Sequence, residues 1–252
     1  MGLSGGVDSS VLAVIAVQAL GRENVEGISL PTRFTSSASR EDAIALSAHL
    51  GIEFKEFEIE NTFLAFEKML ESLKPRTLTL ENIQPRIRMT VLMAIANEGG
   101  KLLLNTSNKS EIATGYSTLY GDSAGALAPL GDLTKGQVVR LAEWLNREKA
   151  IVPQRVISRP PTAELRENQK DEDTLPTYSV LDKMVEACLM KQLGPEELMN
   201  QGFMTDSVET FSRLHRFSEY KRRQMPPILR VSQKAFGIGR RIPLACRNYA
   251  DK

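Results

Sequence analysis

The run Gly2-Leu3-Ser4-Gly5-Gly6-Val7-Asp8-Ser9-Ser10 decides how the rest of the chain is read. Met1 to Ser4 reads as a short strand end and Asp8 to Leu20 as a helix, so the glycines fall at a strand-to-helix junction. Unpaired backbone N–H groups at a helix start, together with the helix dipole, favour phosphate at such a place. The run is not a Walker loop, because no Gly-Lys-Ser/Thr follows. Nor is it the dinucleotide fingerprint, since Ser9-Ser10 stand where a third glycine belongs. The competing account is a plain turn in which Asp8 and Ser9 merely favour the first turn of a helix.

Downstream, strands and helices alternate. Val25 to Leu30 reads as a second strand ended by Pro31. Ser39 to Leu50 is a helix with Ala43, Leu46 and Leu50 on one face, stopped by Gly51. Phe54 to Ile59 alternates as a third strand, and Phe63, Phe66, Leu70 and Leu73 form a helical stripe closed by Pro75. Glu81 to Glu98 places Ile87, Val91, Ala94 and Ile95 together, Gly99-Gly100 breaks it, and Lys101 to Thr106 reads as a fourth strand. Thr134 to Arg147 turns Val138, Leu141, Ala142 and Leu145 inward, and a short strand or turn at Ile151 to Val152 follows. The pattern predicts an α/β fold, a doubly wound, Rossmann-like parallel sheet covered on both faces, with a helical C-terminal extension. Residues 1–153 form the nucleotide-binding core in this reading. Residues 154–177, charged and without hydrophobic period between Ser158 and Pro176, form a mobile active-site loop. Residues 178–252 form a basic tail, with Tyr178 to Gln192 and Asp206 to Gln224 as its main helices and an irregular stretch from Pro226.

The composition, 42% hydrophobic and 25% charged over 252 residues, is that of a globular chain. No apolar run approaches the roughly 20 residues a bilayer requires, and the first residues do not form a secretory signal. Cys188 and Cys246, the only cysteines, lack metal-ligand spacing and suit a reducing cytoplasm. His49 and His215 are the only histidines, so a histidine metal site or a Ser-His-Asp triad is poorly supported, and any metal would be magnesium held by carboxylates and phosphates. Net charge is +1, yet Arg213 to Arg241 holds nine Lys or Arg against Glu219 alone. That asymmetry reads either as attraction for an anionic partner or as a solvated basic tail.

The form Ser-Gly-Gly-x-Asp-Ser at Ser4 to Ser9 resembles the pyrophosphate loop of the ATP pyrophosphatases, which split ATP between its α and β phosphates. That superfamily includes GMP, asparagine and argininosuccinate synthetases and RNA-thiolating enzymes. Further segments are similar to NAD synthetases: Leu30 to Ser36, Glu81 to Arg88, Asn105 to Glu111, Gly115 to Asp122, Asp132 to Lys135, Arg159 to Leu165, Glu219 to Gln224 and Lys234 to Gly237. They run in order along nearly the whole chain and look closest to the synthetase portion of the glutamine-dependent type. An alanine is more usual in that family where Pro85 stands here.

The resemblance implies that ATP meets Ser4, Gly5, Gly6, Val7, Asp8 and Ser9, with Thr106, Lys135 and Thr162 completing the nucleotide site. It implies magnesium on Asp8 and Glu111, with Asp8, Glu111 and Lys135 catalytic. Deamido-NAD would meet Asn82, Arg86, Glu111, Tyr116, Thr118, Tyr120, Asp122 and Lys221. Its nicotinate carboxylate would attack the α-phosphate, and ammonia would displace AMP. Two magnesium-bound carboxylates and lysine cations offset charge on a transferring phosphate without a protein nucleophile, in keeping with the scarcity of His and Cys. Plain structural roles compete at each position: Thr106 as a strand end, Glu111 as a helix start, Asn82 as a cap, Lys135 as an exposed lysine, Tyr116 and Tyr120 as packing, Lys221 as a solvated basic face. The amidase domain of the glutamine-dependent relatives has no counterpart, so ammonia is expected free or from an amidase in trans. Family members carry more chain ahead of the glycine loop, so the chain reads as a possible truncated fragment. The family's habit implies a homodimer. The alternatives are an RNA-modifying enzyme with the same loop and a non-catalytic nucleotide-binding fragment; the preferred reading has no nucleic-acid or membrane partner.

Overall fold

The computed structural model describes residues 1–237 and 239–244; Cys246 lies outside the described residues, and Cys188 is a buried free thiol. Parallel pairing organises the chain. β1 (Glu26–Ser29) pairs with β2 (Glu53–Glu56), Gly27 opposite Phe54. On its other edge β1 holds the start of the chain: Gly2 bridges Ile28 in parallel, with Leu3 N–H donating to Ile28 C=O at 2.8 Å and Ile28 N–H to Met1 C=O at 2.9 Å. A second parallel row runs beside it, Leu104 bridging Leu127 and Ala128 bridging Ile228. This is the expected α/β arrangement.

The expected fourth strand at Lys101 to Thr106 is reduced to that single bridge at Leu104. Among the described residues Leu103 and Asn105 bond residues 126 and 127, Lys101 bonds back to Ala96, and no backbone hydrogen bond joins the segment to residues 1–4. Its pairing is confined to one short stretch on one side. Residues 151 and 152 form a turn, both N–H groups donating to the Asn146 side chain.

The helices begin and end where local chemistry dictates. α1 (Val7–Leu20) buries Val11, Leu12, Ala13 and Val14 completely or nearly so. α2 (Ser37–Leu50) is capped by Ser36, which accepts from Ser39 N–H, and stops at Gly51 with φ 64°. α3 (Glu60–Leu70) is followed by α4 (Thr77–Gly99), which starts four residues before the expected Glu81 and carries Pro85 inside it. On the expected α3 stripe only Phe63 is fully buried; Phe66 and Leu73 are exposed, as is Ala94 of α4. α5 (Lys109–Thr114) and α6 (Lys135–Leu145) each begin with a reciprocal capping box, Asn108 with Glu111 and Thr134 with Gln137. α7 (Gln154–Ser158) precedes a strap of irregular chain. α8 (Tyr178–Met190), α9 (Pro195–Asn200), α10 (Thr205–Phe217) and α11 (Glu219–Arg222) then enclose a second core around Leu181, Met184, Leu189 and Phe211. The first core packs α1, α2 and α6 around Val11, Leu12, Leu46, Val138 and Ala142. No helix among the described residues is long and apolar enough to cross a membrane.

Part of the basic run turns inward, while Arg213, Arg223, Arg230 and Arg241 stay exposed. Arg222 is buried, ion-pairs with Glu219 at 2.9 Å and donates to the Ala113 carbonyl; Arg240 donates to the Cys188 carbonyl at 3.0 Å. Lys221 caps the end of α5 through the carbonyls of Gly115 and Ser117. These bonds attach the tail to α5 and α8, so much of the charge is already used inside the molecule.

Gly5 has φ 77°, and a Cβ there would lie 2.1 Å from the Ser39 carbonyl oxygen. Gly100 has φ 58° but nothing within 4 Å of such a carbon. Gly5→Ala adds a backbone clash to the left-handed penalty and is expected to cost about 2–4 kcal/mol, against about 1 kcal/mol for Gly100→Ala. Urea unfolding of the two variants checks the difference.

Candidate active site

The glycine turn places its small residues on one wall of a cavity of about 310 Å³. Ser4, Gly6, Val7, Asp8 and Ser9 line it; Gly5 sits at the bend and offers its carbonyl to Arg159 at 2.9 Å. Side-chain hydroxyls tie the turn together. Ser9 Oγ accepts from Ser4 N–H at 3.3 Å and donates to the Gly6 carbonyl at 3.0 Å, where Ser10 Oγ also donates at 2.8 Å. No side chain caps the start of α1. Its first-turn N–H groups therefore form a concentrated partial positive charge on the cavity wall.

Beside the turn stands a group of charges largely withdrawn from water. Lys135, at the first position of α6, reaches Asp8 at 2.5 Å and Glu111 at 3.7 Å. Asn108 holds both acids: its amide donates to Asp8 at 3.0 Å, and its backbone N–H donates to Glu111 at 3.1 Å. Burial, with Asp8 adding to it, pushes the Glu111 carboxyl above its ordinary range, and Lys135 opposes the shift. For Lys135 burial favours the neutral amine, but the two acids outweigh it and hold the ammonium well above its ordinary range. Thr106 and Thr162 complete this end of the cavity.

Two carboxylates already converge on one cation at this point. Among the described residues no group of three or more His, Cys, Asp or Glu is placed to hold a metal. Magnesium commonly takes one or two protein carboxylates and fills its shell with phosphate and water, so the oxygen donors of Asp8 and Glu111 fit that ion.

The expected dinucleotide residues divide. Tyr116 and Asp122 line the cavity. Asn82, Arg86, Thr118, Tyr120 and Lys221 do not line it and bond to other partners. Thr118 Oγ1 donates to Asn82 at 2.7 Å, Arg86 donates to the Leu119 carbonyl at 3.2 Å, and Tyr120 donates to Gln224 at 3.1 Å. Asp122 accepts from Thr118 N–H at 2.6 Å, and burial pushes its carboxyl up to about 6.

Sequence reasoning missed three groups on the cavity wall. Arg88 donates to the Leu30 carbonyl at 2.9 Å, and burial brings it down to about 10. Glu164 accepts from Ser36 and Ser39, both at 2.8 Å, and fastens the strap to α2. Asp171 lies buried between Tyr116 and Tyr178. Arg88 had a signal, its place two residues after Arg86 on one helix; the two acids are hidden in a charged segment without period. Arg159 and Glu164 tie the strap to the Gly5 carbonyl and to the start of α2.

With this geometry in place the chain can be set beside known proteins. The NAD synthase family profile matches residues 1–226. The chain belongs to the NAD synthase family. It is 47% identical over 248 residues to the glutamine-dependent NAD(+) synthetase of Synechocystis sp., covering 97% of this chain and 44% of that relative. The chain thus spans less than half the length of such relatives. Among solved structures, the glutamine-dependent NAD+ synthetase of Acinetobacter baumannii in complex with ADP is similar at TM-score 0.62 and 38% identity, covering 96% of this chain and 44% of that one. The NH3-dependent NAD synthetase of Campylobacter jejuni is similar at TM-score 0.70 and 31% identity, over 91% of this chain and 87% of that one. The RNA-modifying and scaffold alternatives find no support in these matches.

Asp122 supplies a pH test. Below about pH 4 its carboxyl is protonated in both folded and unfolded chains; between about 4 and 6 the unfolded chain loses the proton while the folded one keeps it. Stability therefore falls as pH rises through that window, by less than the full shift alone would give, because the residue keeps exposed surface and solvent screens it. Asp122→Asn is expected to flatten that part of a Tm-against-pH curve; an unchanged slope would contradict the assignment.

Proposed function

We propose that this chain amidates deamido-NAD to NAD, splitting ATP into AMP and pyrophosphate. The observation that carries the reading is the uncapped start of α1 with Lys135 beside it, ion-paired to Asp8 of that first turn, on the wall of one cavity in a member of this family. An oxygen of the nicotinate carboxylate attacks the α-phosphorus, and the bond to the β-phosphate oxygen breaks. The leaving pyrophosphate lies against the N–H groups of Gly6 to Ser9, Lys135 offsets the developing negative charge, and Thr106 and Thr162 flank the nucleotide. Ammonia then attacks the acyl carbon, the C–O bond to AMP breaks, and the amide remains. No side chain needs to become covalently attached. Asp8 and Glu111 would hold magnesium, which supplies positive charge to the phosphate oxygens when bound. Tyr116 and Asp122 would meet the nicotinate half, with Asn82, Arg86, Thr118, Tyr120 and Lys221 orienting that wall.

Ammonia comes free or from a glutamine amidase, a source suggested by glutamine-dependent relatives of which this chain spans less than half. Cys188, buried and unpaired, suits a cytoplasmic setting. A homodimer accounts for the apolar side chains left exposed around α3 and the start of α4, Leu64, Met69, Leu73 and Leu78 among them; sedimentation as a monomer at micromolar concentration would remove that part.

Incubation with ATP, magnesium, ammonium and deamido-NAD is expected to yield NAD, AMP and pyrophosphate in equal amounts, resolved by chromatography. Release of ADP instead would overturn the reading. Lys135→Met is expected to lower the rate by roughly 100- to 1000-fold, the usual size for losing one buried electrostatic contact to the transition state.

A further inference from the structure

Lys109 and Asp132 form an ion pair at 2.7 Å from which water is excluded, the lysine 3% and the aspartate 1% exposed. Neither side chain lines the cavity. Lys109 opens α5 between Asn108 and Ser110, close to Glu111. Asp132 stands shortly before Thr134, the cap of α6, and Lys135, its first residue. The pair therefore joins the starts of the two helices that carry opposite charges to the cavity. Lys109 N–H donates to the Leu133 carbonyl at 2.7 Å, and Lys135 N–H donates to the Ser110 hydroxyl at 3.0 Å. Asp182 of α8 holds the same junction, accepting from the Ser110 hydroxyl at 2.5 Å and from Gly136 N–H at 2.7 Å.

The tail closes the pair from the far side. Asp132 Oδ2 accepts from the N–H groups of Val231 at 2.8 Å and Ser232 at 2.6 Å, and Oδ1 accepts from the Ser232 hydroxyl at 2.9 Å. Lys109 Nζ donates to the same hydroxyl at 3.0 Å and to the Lys234 carbonyl at 2.9 Å. Together with Asp132, these partners use every proton of the ammonium. The tail residues involved lie past the stretch 1–226 that the family profile matches. Withdrawing two charges from water stabilises a fold less than apolar packing of the same volume would. What a fully satisfied polar network supplies instead is one fixed geometry. Apolar side chains here would let α5 and α6 slide; directed hydrogen bonds do not.

We propose that Lys109 and Asp132 are positioning residues that set Lys135 against the phosphates for adenylyl transfer, and that tail residues 231–234 hold the pair in place. The assignment rests on the ligase reading above. Lys109 and Asp132 touch no substrate and act through Lys135. They fix the start of α6 on the start of α5, so the Lys135 ammonium keeps one separation from Asp8 and Glu111. A displacement of about 1 Å at such a group can lower a rate by about 100-fold. The tail thereby becomes part of the catalytic unit although it stays outside the cavity.

Exchange of labelled pyrophosphate into ATP, dependent on deamido-NAD and run without ammonium, reads adenylyl transfer by itself. Ser232→Ala removes one hydroxyl and leaves both charges paired. In the full chain it is expected to lower the exchange kcat about tenfold, with the KM for ATP and for deamido-NAD within about twofold. Lys109→Met is expected to lower that kcat about 100-fold. In a Lys135→Met background neither change should cost more than about a further twofold, since the group through which the pair acts is gone. Leu198→Ala, in the second core and away from the pair, is expected to lower the melting temperature and leave kcat in place. Losses that multiply in the Lys135→Met background would overturn the assignment. So would a raised KM at constant kcat, an unaltered rate in both variants, or equal kcat losses in Leu198→Ala and Ser232→Ala. If Lys109→Met does not fold, Ser232→Ala and its double variant decide. Absence of exchange in the unaltered chain would instead bring down the ligase reading, and this assignment with it.

Discussion

Between Leu3 and Val7 the backbone leaves a parallel row and enters a helix within a space that α2 has already taken. The Ser39 carbonyl lies where a side chain at position 5 would begin, so only glycine fits, in a left-handed conformation. That bend brings the first-turn N–H groups of α1 onto the cavity wall with no side chain to cap them. Arg159 closes over the same bend through the Gly5 carbonyl, and Glu164 fastens the strap to the hydroxyls of Ser36 and Ser39. Loop, second helix and strap thus form one unit, and a shift in any of them moves the others.

The charges beside the turn follow a different logic. Lys135, Asp8 and Glu111 are withdrawn from water in a chain whose fold does not need them there, and burying such a group costs more than an apolar filling of the same volume. The cost is reduced by Asn108, which bonds both acids, and by the capping boxes that set α5 and α6 at the correct angle. An arrangement of two acids around one cation is poised to exchange partners when phosphate arrives. Electrostatics of this kind act without reorganisation at the moment of reaction, which suits a transfer in which no side chain becomes covalently attached.

Much of this was legible in the sequence because it is local. Gly51 ends α2 and Thr134 begins α6 by rules that need only neighbouring residues, and the strand-to-helix turn follows from the order of small and apolar side chains. Features set by distant partners were not. Lys101 to Thr106 has the composition of a strand but finds pairing on one side only. The basic run near the C-terminus looks solvated until Arg222 and Lys221 are seen against the carbonyls of α5 and the loop that follows it. Asp171 sits among charged residues with no periodicity, and nothing in its neighbours tells that two tyrosines will turn it inward. The exposed apolar residues of α3 and α4 belong to the same class, since a helix stripe does not say what covers it.

The most direct test of the whole account is a crystal structure of the chain soaked with a non-hydrolysable ATP analogue and magnesium. The account predicts the β and γ phosphates within hydrogen-bonding distance of the N–H groups of Gly6 to Ser9, and Lys135 drawn from Asp8 toward the phosphate oxygens. A triphosphate seated away from that turn, with Lys135 still on Asp8, would contradict it.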